Sequence, residues 1–346
     1  MSNNIILQHV PLGFQWPTSD PFLFCVHHLD LYPNGNGSFG PKASLAGRSI
    51  GNDFDPIDGW RMYHGSTVPG FPEHPHRGFE TITFARKGFI DHSDSMGAAA
   101  RFGRGDVQWM TAGRGVVHSE MFPLLDSDGP NTVELFQIWM NLPATDKMVE
   151  PYFTMLWSSD IPMHHHIDDT GLATDVTVIA GAYDGLTAPT PPPSSWAARA
   201  EADVAIWHVV MAPNGTITLP AAASAETNRV LYLFEGSVAI DGDDVAESTG
   251  AVVVADRSAP LRAGDAGAEI LVLQGRPIGE PVAQYGPFVM NTRTEIEQAF
   301  ADYQRTGFGG WPWDRPDPVH GGDAERFARH AGGRVEQPVA VDQARS

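Results

Sequence analysis

Two short stretches repeat one spacing, and that spacing restricts the fold. His74-Pro75-His76 and His118-Ser119-Glu120 each set two potential metal ligands one residue apart. In an extended chain alternate side chains share a face, so each pair can point into one barrel interior. The rest of the sequence supplies the strands that this demands. Alternating or β-rich runs recur at residues 81–84, 133–139, 176–179, 206–210, 230–234 and 269–273. With 36 glycines and 28 prolines, the chain suits many short strands joined by turns such as Gly103-Arg104-Gly105-Asp106 and Asp241-Gly242-Asp243-Asp244. Two such pairs on facing strands give three imidazoles and one carboxylate around a point. Three neutral nitrogens and one hard oxygen suit a divalent first-row metal such as Fe, Mn, Ni, Co or Zn, with positions left open for substrate and O₂.

The second half repeats the grammar of the first. Phe84-Ala85-Arg86-Lys87-Gly88-Phe89-Ile90 compares with Leu233-Phe234-Glu235-Gly236-Ser237-Val238-Ala239-Ile240, which argues for two related β-barrel or sandwich units. The proline-rich stretch at 188–195 reads as a surface loop or linker. One helix is expected late: Thr294-x-x-Glu297 is a capping box, after which Ile296, Phe300 and Tyr303 share a helical face. Residues 309–346 read as an irregular tail rich in Gly, Pro and charge.

Composition removes several classes. With 22 basic against 42 acidic side chains, the net charge of −20 disfavours direct contact with nucleic acid or an anionic membrane. The one cysteine, Cys25, lies in an apolar run and reads as a buried thiol, as in a reducing compartment. Residues 1–8 carry no positive charge and no run of about 18 apolar residues occurs, so neither a signal peptide nor a membrane span is read and a cytoplasmic location is expected. His164-His165-His166 is read as a solvated loop and His208 as a core histidine. Asp53, Asp55 and Asp58 lack the pattern of a helix-loop-helix calcium site, and no phosphate-binding or dinucleotide-binding glycine loop is present.

At residue level the chain resembles the pirin family of iron-binding bicupins. The resemblance runs through Asp20-Pro21-Phe22, residues 74–81, Asp94-Ser95-Met96-Gly97, residues 105–113, His118-Ser119-Glu120-Met121, residues 137–143, residues 147–152 and residues 285–292. It implies an all-β bicupin, two β-barrel or jelly-roll domains with the late helix packing back on the first. The expected divisions are 1–150 for a metal-binding barrel, 151–284 for a barrel without metal, 285–308 for a return segment and 309–346 for the tail. The implied ligands are His74, His76, His118 and Glu120, holding one divalent ion, Fe(II) first and Mn, Ni, Co, Cu or Zn as alternatives. Glu80 stands where many other cupins place their carboxylate ligand; Glu120 is favoured here, with Glu80 in a supporting role. The resemblance further implies a dioxygenase that opens flavonols such as quercetin with O₂ and releases carbon monoxide, Glu120 taking the substrate proton. Phe79, Trp109, Met110, Met121 and Phe122 would wall a planar polyphenol. The alternatives are a metal- and redox-sensing regulator that docks on a transcription factor, which leaves room for a protein partner, or another cupin chemistry.

Overall fold

The computed structural model describes residues 4–339; the ends of the expected N-terminal segment (1–3) and tail (340–346) lie outside them. The first strands are β1 (Ile6–Pro11), β2 (Phe22–Tyr32), β3 (Gly70–His76), β4 (Phe79–Lys87), β5 (Phe89–Asp94), β6 (Ala99–Gly103), β7 (Asp106–Thr111), β8 (Val116–Met121), β9 (Asn131–Asn141) and β10 (Tyr152–Leu156). Next come β11 (Met163–Ile167), β12 (Ala173–Ala180), β13 (Ala182–Tyr183), β14 (Leu186–Thr187), β15 (Ala205–Met211), β16 (Thr216–Leu219), β17 (Asn228–Ile240), β18 (Asp243–Val245), β19 (Thr249–Val254) and β20 (Ala259–Gly275). The chain closes with β21 (Ala283–Tyr285), β22 (Phe288–Met290), helix α1 (Arg293–Thr306), β23 (Phe327–Arg329) and β24 (Val335–Glu336). No helix among the described residues is long and apolar enough to cross a membrane.

The chain divides into two compact units. The first, here the N-barrel, comprises residues 27–137, 144–159 and 280–339; the second, the C-barrel, comprises residues 4–26, 138–143 and 160–279. The N-barrel is built on one sheet ordered β10-β7-β4-β9-β2 and another ordered β24-β23-β6-β5-β8-β3. The C-barrel sheet runs β1-β19-β17-β20-β15-β12-β11, with β16 added to β20 and β18 to β17. Each unit has its own apolar core, one around Ile90, Phe102, Met110 and Phe122, the other around Trp207, Leu231, Leu261 and Ile270.

The expected repeat is present as topology. In the N-barrel β3 and β5 both pair with β8, and β4 pairs with β7. In the C-barrel β16 and the second half of β17 both pair with the first half of β20, and the first half of β17 pairs with β19. Gly88 and Gly236 stand at the matching corners with φ of 75° and 80°. A Cβ on Gly236 would lie 2.1 Å from Gly267 O, so that corner admits no larger residue.

Four expectations need correction. Residues 4–26 fall in the C-barrel, because β1 pairs along β19 and covers that edge as β10 covers β7 in the N-barrel. The N-barrel in turn runs on to residue 159, since β10 is part of it. The helix cap lies two residues earlier than read: Thr292 accepts from Glu295 N, and the Glu295 carboxylate accepts from Thr292 N at 2.7 Å. Ile296 is buried as expected, with Phe300 and Tyr303 packed beside it around Phe288. The triple histidine forms strand β11 rather than a loop.

The tail is also ordered where it was expected to be irregular. β23 pairs with β6, and the chain before it covers a buried ion pair of Asp91 and Arg101. Both side chains are fully buried and joined by two contacts of 2.7 Å. Gly321 O and Asp323 O accept from Arg101, and Asp91 accepts from His320 N. A buried pair of this kind stands only if its remaining donors and acceptors are satisfied, and residues 320–323 satisfy them. Arg101→Ala is therefore expected to destabilise the N-barrel by about 3–5 kcal/mol, since it strands the Asp91 charge. Deleting the chain beyond Gly310 should lower the melting temperature in the same direction. Calorimetry of the two variants checks both, and unchanged transitions would contradict the role given to the tail.

Candidate metal centre

The site begins with one antiparallel register. Across β3 and β8, His74 pairs with His118, His76 with Val116 and Phe71 with Glu120. A bulge between Phe71 and His74 inserts one residue, and Pro72, which lacks an N–H, sits inside it. Alternation then puts His74, His76, His118 and Glu120 on one face. The three imidazoles converge, with ring centroids 4.4 Å (His74–His118), 4.8 Å (His74–His76) and 4.9 Å (His76–His118) apart. One nitrogen from each lies within 4.8 Å of the others, a grouping able to hold a metal ion.

The protonation states suit ligation. Burial holds His74 down to about 4 and His76 and His118 well below the ordinary imidazole range, neighbouring imidazoles adding to the effect in all three. Neutral rings have the lone pair that a metal requires. Pro72 O accepts from His74 Nδ1 at 2.8 Å, which fixes the proton there and leaves Nε2 to the cluster. Neither nitrogen of fully buried His118 has a hydrogen-bond partner. A buried, unpaired imidazole carries a desolvation penalty that a metal bond offsets, so the donor set fits a bound divalent ion.

The carboxylates separate cleanly. Glu120 is buried, its carboxyl is pushed up by burial, and Thr83 Oγ1 lies 3.0 Å from its Oε1. The same hydroxyl is 2.9 Å from Gln137 Oε1, so its single proton serves one acceptor at a time. Glu80 lies three residues before Thr83 on β4 and hence on the opposite face, where it accepts from Thr111 Oγ1 at 2.6 Å. Of the proposed wall residues, Phe79 adjoins His76 at 5.0 Å between rings, and Met110 shares the face of Gln108, the partner of Thr83. Phe122 packs in the core against Phe71. Trp109 and Met121 alternate to the faces away from the site.

Two residues escaped the sequence reading. His92 on β5 pairs with Glu120, is fully buried and lies 5.5 Å ring to ring from His118. Gln108 on β7 stands opposite Thr83 with a buried amide nitrogen that has no hydrogen-bond partner. The period-two pair His92-Ser93-Asp94 was the signal for the first; nothing local marks the second.

The C-barrel carries no counterpart. Counting from the matched Gly88 and Gly236, the β17–β20 and β16–β20 registers bring Ile240 to the place of His92, Leu261 to that of Glu120, Ala259 to that of His118 and Leu219 to that of His74. All four are buried in its apolar core and offer no ligand atom.

Two outcomes follow. In metal-free protein, stability should fall as the pH drops from 6.5 towards 4, because over that window the unfolded imidazole of His74 binds protons that the folded one does not. Denaturant midpoints measured across this range test the sign. In metal-loaded protein, His74→Ala with His118→Ala should abolish retention. Glu120→Ala should weaken it, and Glu80→Ala should largely keep it, as read by elemental analysis.

The sequence matches the Pirin family over residues 49–140 and the Pirin C-terminal cupin domain over residues 206–309. A Pseudomonas aeruginosa relative with the provisional name quercetin 2,3-dioxygenase is 37% identical over 241 residues, covering 68% of this chain and 79% of its own. A pirin-like protein of Solanum lycopersicum is 36% identical over 285 residues, covering 77% and 88% respectively. Among solved structures, a quercetin 2,3-dioxygenase from Acinetobacter baumannii superposes with a TM-score of 0.68 at 27% identity, over 88% of this chain and 98% of that one. Two family matches in tandem, the first lying almost wholly in the N-barrel and the second running from the C-barrel into the return segment and α1, show that the chain belongs to the pirin family of bicupins.

Proposed function

We propose that this protein is a metal-dependent dioxygenase that opens flavonols such as quercetin with O₂ and releases carbon monoxide. The observation that carries the reading is the convergence of three imidazoles, His76 and His118 buried and His74 half-buried, with the buried carboxyl of Glu120 on the same face of β8 but outside that grouping of nitrogens. His74, His76, His118 and Glu120 would hold one divalent ion, iron first. When bound, that ion supplies Lewis acidity, which lowers the pKa of a coordinated hydroxyl. The names of the Pseudomonas and Acinetobacter relatives support the substrate class.

The chain's own residues supply proton handling and shape. The Glu120 carboxylate takes the proton of the flavonol 3-hydroxyl, and burial favours the resulting carboxylic acid. Thr83 accommodates both states: it donates to Glu120 Oε1 when that group is ionised, and can turn its proton to Gln137 when Glu120 is protonated. The unpaired amide nitrogen of Gln108 offers a donor to an oxygen of the substrate. Phe79, against His76, and Phe71, 6.3 Å from His74, give flat apolar surface to an aromatic ring.

Glu120→Gln should keep the fold and lower turnover by about 10²- to 10⁴-fold, since an amide cannot accept the proton. A flavone without the 3-hydroxyl should not be consumed. Loss of flavonol absorbance together with carbon monoxide release under O₂, assayed with Fe, Mn, Ni and Co, tests the proposal. If no metal supports either signal, the reading fails.

A further inference from the structure

The histidine run on β11 leaves two imidazoles on one face, at the rim of the C-barrel. His164 pairs with Val176 and His166 with Thr174 on β12, and Val176 faces the core. His164 and His166 therefore turn inward and are half-buried, while His165 turns outward to an ion pair with Asp175. The inward pair opens on a cavity of about 1320 Å³, lined also by Asp169, Tyr183, Asp184 and Arg262.

The arrangement parallels the N-barrel cluster in two respects. In both, a His-x-His pair on a strand presents both rings to one side; the ring centroids are 4.8 Å apart for His74 and His76 and 6.3 Å apart for His164 and His166. In both, the first ring has its Nδ1 beside an oxygen: Pro72 O for His74, and Asp184 Oδ2, 3.3 Å away, for His164. Such a partner fixes the Nδ1–H tautomer and leaves Nε2 free to ligate. Thr174, directly across from His166 and fully buried, has a hydroxyl with no hydrogen-bond partner, a further oxygen on the same face.

We propose that His164 and His166 chelate a second divalent ion of the imidazole-preferring class, Cu²⁺, Ni²⁺ or Zn²⁺, with Asp184 as the residue that orients His164. Rotation of two partly exposed rings brings their nitrogens to one ion, whose remaining positions face the cavity. The apolar interior at Leu219, Ala259 and Leu261 holds none, so this site lies at the rim. It is independent of the reaction proposed for the N-barrel.

Cu²⁺ titration of the full chain tests it, because copper heads the affinity order for such ligands. The wild-type chain is expected to bind about one more equivalent than His164→Ala/His166→Ala, and that equivalent should show nitrogen coupling from two imidazoles by electron paramagnetic resonance. His165→Ala should bind as wild type. His74→Ala/His118→Ala should lose the N-barrel ion and keep this one. A glutamine pair at 164 and 166 repeats the experiment with polar side chains retained at the rim. Equal uptake by wild type and both 164/166 variants overturns the proposal, as does an equal loss in His165→Ala.

Discussion

Across β3 and β8, His74 stands directly opposite His118, and the chemistry available to the N-barrel depends on that rung. A slip of one residue would turn every candidate ligand to the other face of the sheet. Three local features hold the register. The bulge at Pro72 realigns the strand so that Phe71 meets Glu120. A Cβ on Gly70 would lie 2.5 Å from Glu120 O, so that only glycine allows the strands to approach there. Beyond His76, Arg77 exchanges backbone hydrogen bonds with Pro287 and Val289, and its guanidinium binds Asp302 of α1 at 2.9 Å. Phe308 packs against Gly115, where any side chain would collide with its ring. The late helix and return segment are thus part of the scaffold that aims the histidines.

Much of this was legible in the sequence because it is local and periodic. The two candidate ligand pairs obey the period of two, and the helix shows its apolar face at Ile296, Phe300 and Tyr303. Its cap is ambiguous in sequence because Thr292 and Thr294 both stand three residues before a glutamate, and only backbone geometry selects the first. The preference for Glu120 over Glu80 came through resemblance, whereas the physical reason is the alternation along β4 that sets Glu80 apart from Thr83. His164 and His166 were hidden by the histidine between them, which masks the alternation. β1, β23 and Gln108 had no local signal, since each takes its meaning from a partner far along the chain.

The two barrels show how little of a topology dictates its contents. The same pairing pattern surrounds four potential ligands in one and Leu219, Ala259, Leu261 and Ile240 in the other. In the first, polar groups are buried at a penalty that a ligand must offset; in the second, each buried apolar side chain contributes roughly 1.5–3 kcal/mol. The interior with the histidine cluster is therefore the less self-sufficient of the two, and it is the one braced by α1 and by the chain around His320.

The exchange of chain ends between the units has a bearing on synthesis. Ile6 pairs with Val253, so β1 has no partner until β19 has been made. Phe327 pairs with Arg101, so the edge of β6 stays open until β23 has been made. Contacts of such sequence separation close late, after a large loss of chain entropy. A nascent chain would therefore carry two unfinished sheet edges at once, each a template for pairing with a neighbouring chain. The C-barrel edge can close once β19 has been made, the N-barrel edge only after β23, so the two units are completed at different points of synthesis.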